Sequence, residues 1–349
     1  MSSLIKTKLY DLHKTNGAKL VPFANHELPL WFSSTKDEHL AVRNNAGMFD
    51  ISHMGVFEIT GADSMAFLQQ LSCNTLVKAQ HSTMVYSMFL NQEGMILDDV
   101  MLGCYESIWI LVVNGANKVK LAQWLAAHKP DTVTIKDLNP NHTFIAVQGP
   151  QAISKLASCL DSSIESLPRF GMTKTSWKDA QLLVTRTGYT GEDGCELLIP
   201  NEFAPLLWQN LLDLGVTPCG LASRDTLRIE AGLPLYGQEL SESIHPFMTR
   251  YPWVVKTDHD FIGKEALLAL KETTTHVAVG LELSQSLIAR TNYSIEEGGY
   301  ISSGTLLPTS QKSIALAMVP KEYSAVGSNV HVNIRQHQVS ATVTPVPFT

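Results

Sequence analysis

The chain has 349 residues, 44% of them hydrophobic, which is enough to bury the cores of two or three domains. Its net charge of −7 opposes binding to nucleic acid or an anionic membrane surface, and no uninterrupted apolar run is long enough to span a bilayer. The five cysteines are scattered and form no CxxC pair, and the histidines show no HxH or HExxH spacing; reduced thiols, no metal and a cytoplasmic location are expected.

The N-terminal "MSSLIKTKLYDLHK" lacks an apolar core followed by a small-residue cleavage site, so no signal or transit peptide is read. "VFEIT" (56–60) predicts a strand, and "ADSMAFLQQL" a helix with Met65, Leu68 and Leu71 on one side. "EGMILDDVML" (93–102) is a turn running into a strand that Asp98 and Asp99 interrupt. Neighbouring strand residues point to opposite faces, so one aspartate is driven toward the buried side. "WILVVN" (109–114) predicts a strand and "KLAQWLAAH" (120–128) a helix. "TFIAVQGP" and "QLLVTRTGY" read as strands, with "GEDG" (191–194) as a hairpin signal before "CELLIP". Two helices follow, "FAPLLWQNLLDLG" closed by Gly215 and "LASRDTLRIEAG" closed by Gly232 with Pro234 beyond. "DHDFIGKEALLAL" is a loop and helix. After about residue 270, "HVAVGLEL", "GYISSGT", "SIALAMV", "NVHVNI" and "VSATVTPV" are short strands, so an α+β body precedes an all-β C-terminal domain.

Several polar residues sit oddly in these elements. Asp99 lies in an apolar strand, Glu196 follows the hairpin near Tyr189, Asn114 ends a strand, and His53 follows an apolar stretch. Arg224 and Arg228, four apart, share one helix face. Each has an ordinary reading as a strand-end carboxylate, a solvated stripe, a turn residue or a packed histidine.

Together, "LYDLH", "VPFA", "EHLAVRNNAGMFDISHMG", "FLNQEGMILDDVML", "VVNGANK", "AVQGPQA", "RTGYTGEDGCEL", "ASRDTLRIEAGLPLYGQEL", "FIGKEAL", "SSGTLLP" and "SIALAMV" resemble, in the same order, the glycine cleavage T-protein family of tetrahydrofolate-dependent aminomethyltransferases. The resemblance covers nearly the whole chain. It implies a three-domain clover-leaf fold with folate in a central channel and a C-terminal β-barrel or jelly-roll domain. The domains implied are 1–50 with 139–245, 51–138 with 246–272, and 273–349.

It also implies transfer of the aminomethyl carbon from the lipoyl arm of H-protein, a transient partner, to tetrahydrofolate as co-substrate, with release of ammonia. A fixed carboxylate suits this chemistry, because it stabilises a cationic carbon and takes a proton from the attacking pterin nitrogen. By resemblance that carboxylate is Asp99, with Asp98 its outward structural neighbour. Glu196 accepts from the pterin 2-amino and N3–H pair, and Arg228 orients that carboxylate or meets the pterin carbonyl. Tyr86 and Tyr189 line the channel, Asn114 supplies amide hydrogen bonds, and Arg290 stands at the entrance.

The sequence departs from the family where Gly94-Met95 replaces a frequent Gly-Gly, which leaves the geometry of this turn open. Related folate transferases acting on small thioether or sulfonium compounds share the resemblance. So does a non-enzymatic folate protein of iron–sulfur maintenance, although its contiguous Lys-Gly-Cys segment is missing. The folate domains of flavin-linked oxidases carry an additional domain with a GxGxxG motif that is also missing.

Overall fold

The computed structural model describes residues 4–348. The chain divides into two compact units, each assembled from three separate stretches: Met1–Leu68, Leu76–Tyr86 and Val100–Asp225 form the first, and Gln69–Thr75, Ser87–Asp99 and Thr226–Thr349 the second.

The first unit is built on a six-stranded sheet in the order Met172–Trp177, Ala180–Thr185, Gly194–Pro200, His142–Gln148, Gly47–Asp50 and Thr217–Pro218. Alternation sets its inner face. Ile145 and Val147, Leu182 and Val184, and Leu197 and Ile199 all bury their side chains around Trp208 of the helix Ala204–Asp213. The strand His142–Gln148 is buried at every residue but the first, as befits a strand with neighbours on both edges. Against Trp208 of this core, the buried side chains of His13 and Asp50 are hydrogen-bonded at 2.8 Å.

A second sheet of the first unit pairs Met101–Tyr105 with Ile108–Val112, Trp109–Val113 with Gly55–Ile59, and Phe57–Thr60 with Thr134–Asp137. The strands and helices expected from 56 to 128 are present as Gly55–Thr60, Ser64–Leu71, Ile108–Val113 and Lys118–His128. The strand expected to run through Tyr189 ends at Thr185. Beyond it, Arg186 still exchanges backbone bonds with Phe170 and Gly171, and the next residues leave the ladder for a loop that returns at Gly194.

The second unit carries the C-terminal domain. Five antiparallel strands lie in the order Tyr300–Leu306, Ser313–Pro320, His276–Leu283, His337–Thr344 and Asn329–Ile334. All five segments read as strands in the sequence are here, around an aliphatic core of Leu281, Ile301, Ala315, Val319, Val332 and Val343. The helix Lys264–Thr273 precedes them.

The strand that holds the paired aspartates, Ile96–Tyr105, begins in this unit. Its turn needs only one left-handed residue, Gly94 at φ +78°, so Met95 is spared. Asn91 closes the turn by accepting from the Gly94 and Met95 amides. No helix among the described residues is long and apolar enough to cross a membrane.

Candidate functional site

In the first unit, Cys195, Leu197 and Ile199 occupy the core face of their strand, which sends Glu196 to the other face, opposite Thr185. The Thr187 hydroxyl donates to Glu196 Oε2 at 2.6 Å and lies 2.7 Å from the Thr185 hydroxyl. Glu196 Oε1 makes no hydrogen bond within the protein among the described residues. Burial pushes the Glu196 carboxyl above its ordinary pKa, and the Thr187 hydrogen bond and the Arg224 charge oppose that rise.

Arg224 projects from the helix Leu221–Ala231. Its guanidinium stands 4.9 Å from the Tyr189 ring centroid and 5.8 Å from that of Phe49. Nη1 is buried with no hydrogen-bond partner. Burial lowers the Arg224 pKa, while Glu196 and Tyr189 hold it up.

The start of this helix is fixed by Glu38, which is fully buried. Its Oε2 accepts from the Gly220 amide at 2.8 Å and the Ser223 hydroxyl at 3.0 Å, and its Oε1 accepts from the Phe32 and Ser33 amides. His53 is buried with its ring edge-on to Phe23 and within reach of the Arg224 charge. Burial, and then the Arg224 charge, lower its pKa to about 3, so it is neutral at physiological pH. Tyr86 and Asn114 belong to the same unit and are half-buried, Tyr86 on Val85–Leu90 and Asn114 capping the short turn Gly115–Asn117.

In the second unit, Asp98 does not take the outward place expected of it. Asp98 is fully buried and Asp99 is partly exposed, so Asp98 is the inward residue and not the outward one. The face to which each residue belongs is set by pairing the sequence does not display. The Asp99 charge acts on Tyr251, whose hydroxyl is pushed up to about 12 by burial first and then by Asp99 and Glu239.

Arg228 is 2% exposed and fully engaged. Nη1 donates to Glu239 Oε2 at 2.8 Å and to the Leu233 carbonyl at 3.1 Å, and Nη2 donates to Ser303 at 2.7 Å. The arginine whose charge acts on Glu196 is Arg224, whereas Arg228 is engaged by Glu239. Arg290 is exposed in the segment between Leu283 and Tyr300.

Sequence reasoning weighed both arginines and chose between them without the distant partners, Glu239 and Ser303, that commit Arg228. It missed Thr187 and Glu38, which carry no local signal beyond their polarity. Among the described residues no three His, Cys, Asp or Glu side chains converge to hold a metal.

The GCVT N-terminal domain matches residues 9–259 and the glycine cleavage T-protein C-terminal barrel domain matches residues 277–349. An aminomethyltransferase of Synechococcus elongatus is 41% identical over 358 residues, covering 99% of this chain and 96% of that protein. One of Halalkalibacterium halodurans is 39% identical over 360 residues, covering 100% and 99%. The crystal structure of glycine cleavage system aminomethyltransferase T from Bartonella henselae superposes with a TM-score of 0.91 at 31% identity, covering 99% of this chain and 98% of that one.

Proposed function

The chain belongs to the glycine cleavage T-protein family and is an aminomethyltransferase, and from that premise we propose which of its residues read the folate and which serve the chemistry. The co-substrate is tetrahydrofolate, and the donor is the aminomethyl group on the lipoyl arm of H-protein. In the reaction the carbon–sulfur bond to the lipoyl arm breaks, ammonia leaves, and the carbon bridges two folate nitrogens as 5,10-methylenetetrahydrofolate.

One observation carries the folate assignment: Glu196 is held by a single hydroxyl and keeps Oε1 unspent, beside an arginine whose buried Nη1 is also unspent. A carboxylate with open lone pairs accepts the adjacent 2-amino and N3–H donors of a pterin. A guanidinium donor fits the neighbouring ring carbonyl. Tyr189, with Arg224 over its ring, offers an aromatic wall, and Tyr86 and Asn114 complete the contacts to the pterin and its linker. A neutral His53 adds no positive charge that would compete for Glu196.

Asp99 is assigned the catalytic carboxylate, which stabilises the cationic carbon and receives the proton lost by the attacking nitrogen. Its partial exposure suits contact with substrate, and Asp98 is the structural member of the pair. Arg290, exposed and cationic, is assigned to the entrance, where the anionic tail of folate or the lipoyl arm approaches.

The test is ammonia release from aminomethyl-loaded H-protein, with and without tetrahydrofolate. Release that depends on folate supports the reading. Release of equal rate without folate refutes it.

A further inference from the structure

We propose that Gln148 is a positioning residue for the folate-reading group, acting through the loop Thr187–Thr190; this rests on the assignment of Glu196 and Tyr189 given above. Gln148 ends the central strand of the six-stranded sheet and is fully buried, paired with Gly47 on one side and Gly194 on the other. Its carboxamide does not serve the ladder. Nε2 donates to the Thr187 carbonyl at 3.0 Å and to the Val147 carbonyl at 3.2 Å. Oε1 accepts from the Thr190 hydroxyl at 3.0 Å. One side chain therefore grips both ends of a four-residue segment, using the donor and the acceptor that an amide presents on two separate atoms.

The two residues between those ends are Gly188 and Tyr189. A Cβ on Gly188 would lie 1.8 Å from Gln148 Oε1, so the amide fills the space that a side chain there would need. The segment is pinned from outside as well. Arg43 donates to the Thr190 carbonyl at 2.8 Å and to Glu192 at 2.9 Å, and Arg186 grips Asp193 with two nitrogens. Of these clamps, Gln148 is the one that touches Thr187. The Thr187 carbonyl is held by Gln148 while its hydroxyl is held by Glu196. Shifting the carbonyl turns the hydroxyl, and with it the carboxylate and the adjacent Tyr189 ring.

The test is Gln148→Met, which keeps the length of the side chain and removes both polar atoms. Folate Kd and folate KM are measured beside kcat and the KM for aminomethyl-loaded H-protein, with a urea melt to show that the variant is folded. Folate Kd and KM are expected to rise about 10-fold, while kcat and the H-protein KM stay within about twofold. In a Glu196→Gln background the same change is expected to add less than about twofold, because the group it positions is already gone.

A folded Gln148→Met with wild-type folate Kd, alongside a weakened Glu196→Gln, overturns the inference and leaves the site reading intact. So does a Gln148→Met effect that persists in full in the Glu196→Gln background. A Glu196→Gln variant that binds folate like wild type overturns both. Should Gln148→Met not fold, Thr190→Val removes the hydroxyl given to Oε1 and decides the matter: a rise of a few-fold in folate Kd supports the clamp, and no change overturns it.

Discussion

Glu196→Gln separates binding from stability, and the structure sets the size of both effects. The variant keeps the shape and one acceptor, but it loses the charge and turns an amide N–H₂ toward donors. Thr187 occupies one position on Oε2, so the wild-type carboxylate retains Oε1 for the ligand. A hydrogen bond to a charged group contributes about 1.5–3 kcal/mol, which corresponds to a folate Kd weakened about 10- to 100-fold. Stability moves the other way. Burial raises the Glu196 pKa in the folded state, so ionisation works against folding as pH rises through that value. The free variant is therefore expected to melt no lower than wild type at pH 7. The assays are equilibrium binding of tetrahydrofolate and a thermal melt of the unliganded protein. A Kd within twofold of wild type refutes the assignment, and a large loss of stability refutes the account of why the carboxylate is there.

Four further outcomes follow from the same geometry. Asp99→Asn is expected to slow single-turnover ammonia release about 100-fold or more while folate Kd changes little; surviving turnover removes Asp99 from the chemistry. Arg224→Lys loses the planar cation over Tyr189 and is expected to weaken folate binding by about 1–2 kcal/mol in the same binding assay. Arg228→Met leaves Glu239 buried without its ion-pair partner and is expected to destabilise the fold by about 3–5 kcal/mol in urea; a loss of folate binding at unchanged stability returns Arg228 to the site. The Asp50 carboxyl is lowered to about 2: burial opposes this shift, and the His13 hydrogen bond and charge with the Ser52 and Thr7 hydroxyls outweigh it. The stability it contributes is full above about pH 4 and lost as pH falls through about 2, so acid titration of Asp50→Asn should lack that loss.

The elements that local pattern controls were legible. Gly215 and Gly232 end their helices at φ +72° and +70°, as their positions after an apolar periodic run imply. The five C-terminal strands stand where alternation and turn residues put them. What could not be read was grouping. Each compact unit draws on three separated stretches, and the boundary cuts through the helix Leu221–Ala231 and the strand Ile96–Tyr105. Residues four apart on one helix, or adjacent on one strand, can therefore serve different units. Arg224 and Arg228 are such a pair, the first in one unit and the second in the other. Motif resemblance located both neighbourhoods; only tertiary partners distinguished the members of each pair.

Arg224 and Arg228 show what makes that distinction physical. Each is near a carboxylate, and each lies on the same helix. Arg228 donates directly to Glu239, and the Leu233 carbonyl, the Leu235 amide and the Ser303 hydroxyl take up further positions. The pair is buried, with Glu239 Oε1 left without a hydrogen-bond partner among the described residues, and its role is to lock the turn after the helix to the strand Tyr300–Leu306. Glu196 and Arg224 share charge without sharing a hydrogen bond. Thr187 fixes the carboxylate through one position, an aromatic ring supports the guanidinium, and Glu38 holds the helix from below. Had Arg224 forked onto Glu196, both groups would be spent, and a ligand would have to break a buried ion pair to enter. Orienting each group by something other than its partner keeps the field in place and leaves Oε1 and Nη1 for the substrate. If this is the design, replacing Thr187 by Val should weaken folate binding in the direction of Glu196→Gln but by less, because the charge remains and only its aim is lost. An effect equal to that of Glu196→Gln would mean that the threonine itself touches the ligand.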